Sequence, residues 1–139
     1  MKNKYLLSKK KYFILLLISS VSILILLLLP SNAFAHGPRF FTCKHMDKVV
    51  HFIMFFCESW LLFRTIELKK NLNLLPISKI VIVSISIFGL ITEILQGITY
   101  NTAKRSFSLW DLFFDILASL IAVIIINILH KRVKKIRIF

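Results

Sequence analysis

Glycine and proline are scarce in this chain, with three of each among 139 residues. So few glycines leave no raw material for a glycine-rich loop of the kind that cradles phosphate. Cysteine is scarcer still, at two, Cys43 and Cys57. Fourteen residues of mostly helical chain separate this pair. At about 1.5 Å rise per residue they stand too far apart for a bridge unless the chain folds back. They are read as free thiols, with Cys57 a small core hydrophobe. Acidic residues number only 6 against 19 Lys and Arg, a net charge of +13. No internal repeat and no low-complexity tract is present, nor any soluble stretch long enough to interleave basic and aromatic residues. The last absence argues against nucleic acid as a partner.

What the chain has in excess is apolar surface: 58% hydrophobic residues and a mean hydropathy of +0.80. A soluble domain does not normally carry that much, so water is not its main solvent. A helix needs about twenty apolar residues to cross roughly 30 Å of hydrocarbon. Four segments come close: 12–29, ended by Pro30, then 46–66, 80–98 and 109–129. The fold class expected is therefore all-α, a polytopic membrane protein built as an antiparallel bundle of four transmembrane helices. Region 1–45 holds a basic N-terminus, the first span and an outer loop; region 46–139 holds a three-helix core and a basic C-terminal tail.

Basic residues crowd at Lys2, Lys4, Lys9, Lys10 and Lys11, and again at Lys131, Arg132, Lys134, Lys135 and Arg137. Such clusters bordering apolar runs read as cytoplasmic flanks beside anionic headgroups, which makes membrane lipids the first partner. The 67–79 loop adds Lys69, Lys70 and Lys79 to that side; the other side has only Arg39, Lys44, Lys48, Lys104 and Arg105. Both termini of this cell-membrane protein are thus expected in the cytoplasm, with 31–45 and 100–108 outside. The first segment also has the look of a secretory signal, because small residues at Ala33 and Ala35 offer a cleavage site after Ala35. Its eighteen apolar residues exceed the usual signal core of about 7 to 15, which favours a retained helix.

A charge at membrane depth costs about 2.5–3.5 kcal/mol near a helix centre, so it persists where packing or function requires it. Here the polar residues fall into stripes. Asp47, His51, Met54 and Glu58 share one face of the second helix, as spacings of three and four dictate. Ser86, Gly89, Glu93, Gln96 and Tyr100 do so on the third; Asp111, Asp115, Ala118, Ser119 and Ala122 do so on the fourth. Small residues there let helices approach closely. Chain direction puts nearly all the ionisable ones near the outer surface, so His51, Glu93, Gln96, Asp111 and Asp115 are expected to converge beside Arg105. Glu58 is the exception, about 16 Å deeper than Asp47. The plainer alternative is that Asp47 and Asp111 cap the first turns of their helices.

The runs DKVVHF with Asp47, Lys48 and His51, ITEILQ with Glu93 and Gln96, and RSFSLWDLFFD with Arg105 and Asp111 resemble the signature of VanZ-like membrane proteins. The likeness extends over 46–124; the first helix matches in kind only. It implies a small bacterial four-helix protein of a family whose named member is associated with low-level teicoplanin resistance. Two departures stand out. Asp115 occupies a place where the family typically has Asn, and Ala118 one where it has Gly.

Three functions fit. The first, implied by the resemblance, is a cell-envelope protein that alters how a lipoglycopeptide reaches lipid-linked wall precursors, its outward pocket suiting a lipid-linked precursor or an amphiphilic antibiotic. The second is a membrane-embedded enzyme on a lipid-linked phosphate. In it His51 or Glu93 is a general base, Asp111 and Asp115 orient the reactants or bind a cation, and Asp47, Lys48, Gln96 and Arg105 bind, the last holding phosphate. The third is a non-catalytic partner or small transporter subunit, although no inverted repeat is visible. Whether the chain is an enzyme stays open. No cofactor is named by these residues, and no spacing among the carboxylates and the imidazole is diagnostic of a metal.

Overall fold

A computed structural model describes residues 2–30, 46–69, 73–103 and 106–136. In it the chain runs through α1 (Lys2–Leu28), α2 (Met46–Lys69), α3 (Leu74–Ile98), the one-turn α4 (Tyr100–Ala103) and α5 (Leu109–Ile136). Within them lie four stretches long and apolar enough to cross a membrane: Lys9–Leu28, Met46–Leu68, Leu74–Ile98 and Leu109–Arg132. The chain is a multi-pass integral membrane protein with an all-α, four-helix architecture, and no strand occurs among the described residues. Helices are what hydrocarbon demands, because each satisfies its own backbone hydrogen bonds where no water can.

Helix α2 sits at the centre, packed against α1, α3 and α5, while α3 also lies along α5 and touches α1. Side-chain ties give the directions. His51, early in α2, meets Asp115, early in α5, and late in both helices Glu67 meets His130. Those two helices are therefore parallel. Glu93, late in α3, reaches the start of α5 at Ser108, and Gln96 holds the carbonyl of Leu27 at the end of α1. The result is an up-down-up-down bundle.

Apolar and polar residues are distributed opposite to a soluble protein. Ile14, Ile18, Val21, Val83, Ile87, Ile94 and Ile124 are exposed on the outer surface, whereas His51, Glu93, Thr92, Ser59 and Asp115 are buried inside. Lipid is the solvent that makes such an arrangement stable. An apolar seam of Phe55, Phe63, Ile77, Val81, Ile85 and Ile126 runs through the interior. Ala118, Ser119 and Ala122 are fully covered, the close approach that small residues permit.

Three details differ from the sequence expectation. Helix α3 begins at Leu74 rather than near residue 80, and α2 continues to Lys69, so the expected 67–79 loop is much shorter. Pro76 does not prevent this: with Asn73 as the N-cap it falls in the first turn, where backbone N–H groups lack partners anyway. Tyr100 leaves the α3 stripe, since α3 stops at Ile98 and Tyr100 opens α4, exposed. Cys57 is exposed on the bundle's outside and is no core hydrophobe. Cys43, Ala33, Ala35, Lys70, Lys104 and Arg105 lie outside the described residues, as does the whole 31–45 loop.

Candidate functional site

Three helices deliver polar side chains to the end of the bundle where α2 and α5 begin and α3 finishes. His51 stands on the second turn of α2, its ring stacked on Phe55 one turn further on, with centroids 6.1 Å apart. Its Nδ1 is 3.0 Å from Asp115 Oδ1 and 3.9 Å from Glu93 Oε1. All three residues are essentially inaccessible, at 2%, 0% and 0% exposure for His51, Glu93 and Asp115. One ligand-type atom from each lies within 4.8 Å of the others.

Local sequence explains how each is held. Asp115 fits because position 89 on the facing helix is glycine: a Cβ there would stand 3.0 Å from Asp115 Oδ2 and 3.3 Å from its Cβ. Glu93 is fixed by Oε2, which accepts the backbone N–H of Ser108 at 2.7 Å. Ser108 is the N-cap of α5, its hydroxyl accepting the N–H of Asp111 at 3.3 Å. The run Ser108-Leu109-Trp110-Asp111 has the form of a capping box, in which the acidic residue would reach back to the cap's own N–H. Here Glu93 from α3 has taken that N–H. Asp111 is therefore released from capping, and its Oδ1 lies 3.7 Å from Lys48 Nζ.

Lys48 and Asp111 form the rim of the cluster. Lys48 is part-buried and also contacts Asp47 at 3.3 Å. Asp47 itself is half exposed and does not enter the buried group. Gln96 is buried but turned elsewhere, its amide donating to Leu27 O at 3.0 Å, so it fastens α1 rather than facing His51. Of the expected site residues, His51, Glu93, Asp111, Asp115 and Lys48 are brought together; Arg105 lies outside the described residues.

Several buried polar oxygens here have no hydrogen-bond partner among the described residues: Glu93 Oε1, Asp111 Oδ1 and Asp115 Oδ2. An unsatisfied buried carboxylate oxygen is costly; Asp111 Oδ1 has the Lys48 cation 3.7 Å away, whereas Glu93 Oε1 and Asp115 Oδ2 have no such donor among the described residues. The Nδ1 of His51 donates to Asp115 when it carries the ring's proton, which leaves Nε2 with the lone pair. A carboxylate-oriented imidazole of this kind can act as a general base or a ligand.

Other polar ties were not foreseen from the sequence. Ser20 of α1 donates to Glu58, which anchors that deep carboxylate to the first helix. At the opposite end His130 bridges the Ile126 carbonyl and Glu67, and Arg64 pairs with Glu67 at 2.5 Å while lying over the Tyr12 ring. Asn127 donates to Ser78 at 3.1 Å. Ser20, His130 and Asn127 lie outside the stripes, and their partners Glu58, Glu67 and Ser78 on other helices reveal them. Compared with family models, with curated proteins and with solved structures, the chain matches none.

Proposed function

We propose that this chain is a VanZ-like integral membrane protein of the bacterial cell envelope. Its polar end binds the headgroup of an amphiphile, either a lipid-linked wall precursor or a lipoglycopeptide of the teicoplanin type. The VanZ-like assignment is supported by the three runs DKVVHF, ITEILQ and RSFSLWDLFFD. The binding role is supported by one observation above others: the buried His51–Glu93–Asp115 group lies at the same end of three helices as the Lys48–Asp111 ion pair. The basic flanks at both ends of the chain favour cytoplasmic termini, which turns this end outward.

A second reading, a membrane-embedded enzyme on a lipid-linked phosphate, is favoured by the 3.0 Å contact of Asp115 with His51. It gives the imidazole the orientation a general base needs. One experiment addresses both. Expressed in a teicoplanin-susceptible bacterium, the chain is expected to raise the inhibitory concentration, and His51→Ala, Glu93→Gln and Lys48→Ala each to abolish that effect at unchanged membrane abundance. Lost abundance in step with lost resistance would reduce the cluster to a folding element. No resistance even with the intact chain would remove the drug from the reading, leaving binding of a dodecyl phosphate probe by the purified protein to decide the headgroup role.

A further inference from the structure

We infer that His51, Glu93 and Asp115 hold a divalent transition-metal ion of the zinc class. The inference rests on reading this end of the bundle as a ligand site and says how such a site takes an anionic headgroup.

Charge is the first argument. Among the described residues near this end, Lys48 is the one lysine or arginine, and it lies against Asp111 and Asp47. Glu93 and Asp115 are left fully buried with only an imidazole between them. Two carboxylates facing one imidazole are an oxygen and nitrogen donor set that a dication satisfies.

Geometry is the second. Bonds of about 2.0–2.1 Å from zinc to nitrogen or oxygen put ligand atoms roughly 3.3 Å apart in a tetrahedron. His51 Nδ1 stands 3.0 Å from Asp115 Oδ1 and 3.9 Å from Glu93 Oε1, values on either side of that edge. The third argument is independent of both. Glu93 Oε1, on a wholly buried side chain and 3.9 Å from His51 Nδ1, has no hydrogen-bond partner among the described residues. Glu93 keeps its other oxygen on Ser108 N–H, an outer hydrogen bond of the kind that orients metal-ligating carboxylates. Three protein ligands leave a further position free for a headgroup oxygen or water. When the ion binds Nδ1, the ring carries its one proton on Nε2 and stays neutral.

The test uses the full chain, purified in detergent, stripped with chelator and titrated by calorimetry with zinc chloride alone, with manganese and magnesium chlorides as parallel arms. The expected result is about one zinc per chain, with weaker binding of magnesium. Asp115→Asn and Glu93→Gln should each weaken zinc by at least the roughly 10–100-fold that outer-sphere changes alone cost. Glu67→Gln and His130→Ala, at the far end, should not. Circular dichroism and gel filtration verify that each variant is folded; should Asp115→Asn unfold, Glu93→Gln carries the decision. No zinc uptake by the stripped protein, or uptake lost only in the far-end variants, overturns the inference. Dodecyl phosphate binding that persists under chelator in that case leaves the headgroup reading standing, and absence of both ends the two together.

Discussion

Gly89 and Asp115 show how narrow the tolerances of the site are. A methyl at position 89 would stand 3.0 Å from Asp115 Oδ2, whereas one at Gly97 would meet Phe107 Cβ at 3.4 Å, ordinary contact. Gly89→Ala is therefore expected to cost about 1–3 kcal/mol through overpacking, read as a lower melting temperature in detergent, and Gly97→Ala close to nothing. Equal melting temperatures for the two would show that Asp115 does not face Gly89. At this scale the sequence was informative about membership of a face and silent about partners. Spacings of three and four put His51, Glu93 and Asp115 on inward stripes, because a helix fixes angular position from residue number alone. Nothing in that periodicity tells that Gln96 would turn to Leu27, or that Ser20 would take Glu58, since those pairings depend on the rotation of one helix against another. No metal spacing was legible for the same reason: the three candidate ligands come from three helices.

Among the elements, α5 depends on its first turn. Ser108 caps the helix and, through its N–H, fastens Glu93. Ser108→Ala removes only the hydroxyl half of that device, so a loss of about 1 kcal/mol is expected, with Glu93 still held by the backbone. Ser108→Pro removes the N–H as well. It is expected to lower the melting temperature further and to weaken zinc binding, which the alanine variant retains; identical behaviour of the two would contradict the role given to that N–H. Helix α1 joins the rest through Ser20 on Glu58 and Gln96 on Leu27. Interhelical hydrogen bonds in membranes average about 0.6 kcal/mol, so Ser20→Ala should lower the melting temperature by a small, measurable step and leave α2, α3 and α5 assembled. The spans themselves were plain in the sequence because twenty apolar residues admit one solution in lipid. The start of α3 was less so: the span expected from residue 80 begins at Leu74, with Asn73 as its N-cap and Pro76 in the first turn.

Over the whole molecule, polar ties close both ends of the bundle, and the Ser20–Glu58 pair lies between them. His51, Glu93 and Asp115 knit α2, α3 and α5 at one end, and Glu67 with His130 joins α2 to α5 at the other. The proposed cytoplasmic placement of the basic flanks turns the end with His51 outward. In a background with Cys43 and Cys57 replaced by serine, single cysteines in either terminal segment should resist a membrane-impermeant maleimide in intact cells, and one in the 31–45 loop should react. The reverse pattern would invert the protein and put the polar end inside the cell.

The convergence of α2 and α5 at that end is most directly tested by cross-linking in native membranes. In the same cysteine-free background, His51→Cys with Asp115→Cys should be joined by a short bis-methanethiosulfonate reagent, while Ile53→Cys with Phe113→Cys, on outer faces, should not. A pair that stays open at 51 and 115 while 53 and 113 join would contradict the meeting of His51 and Asp115.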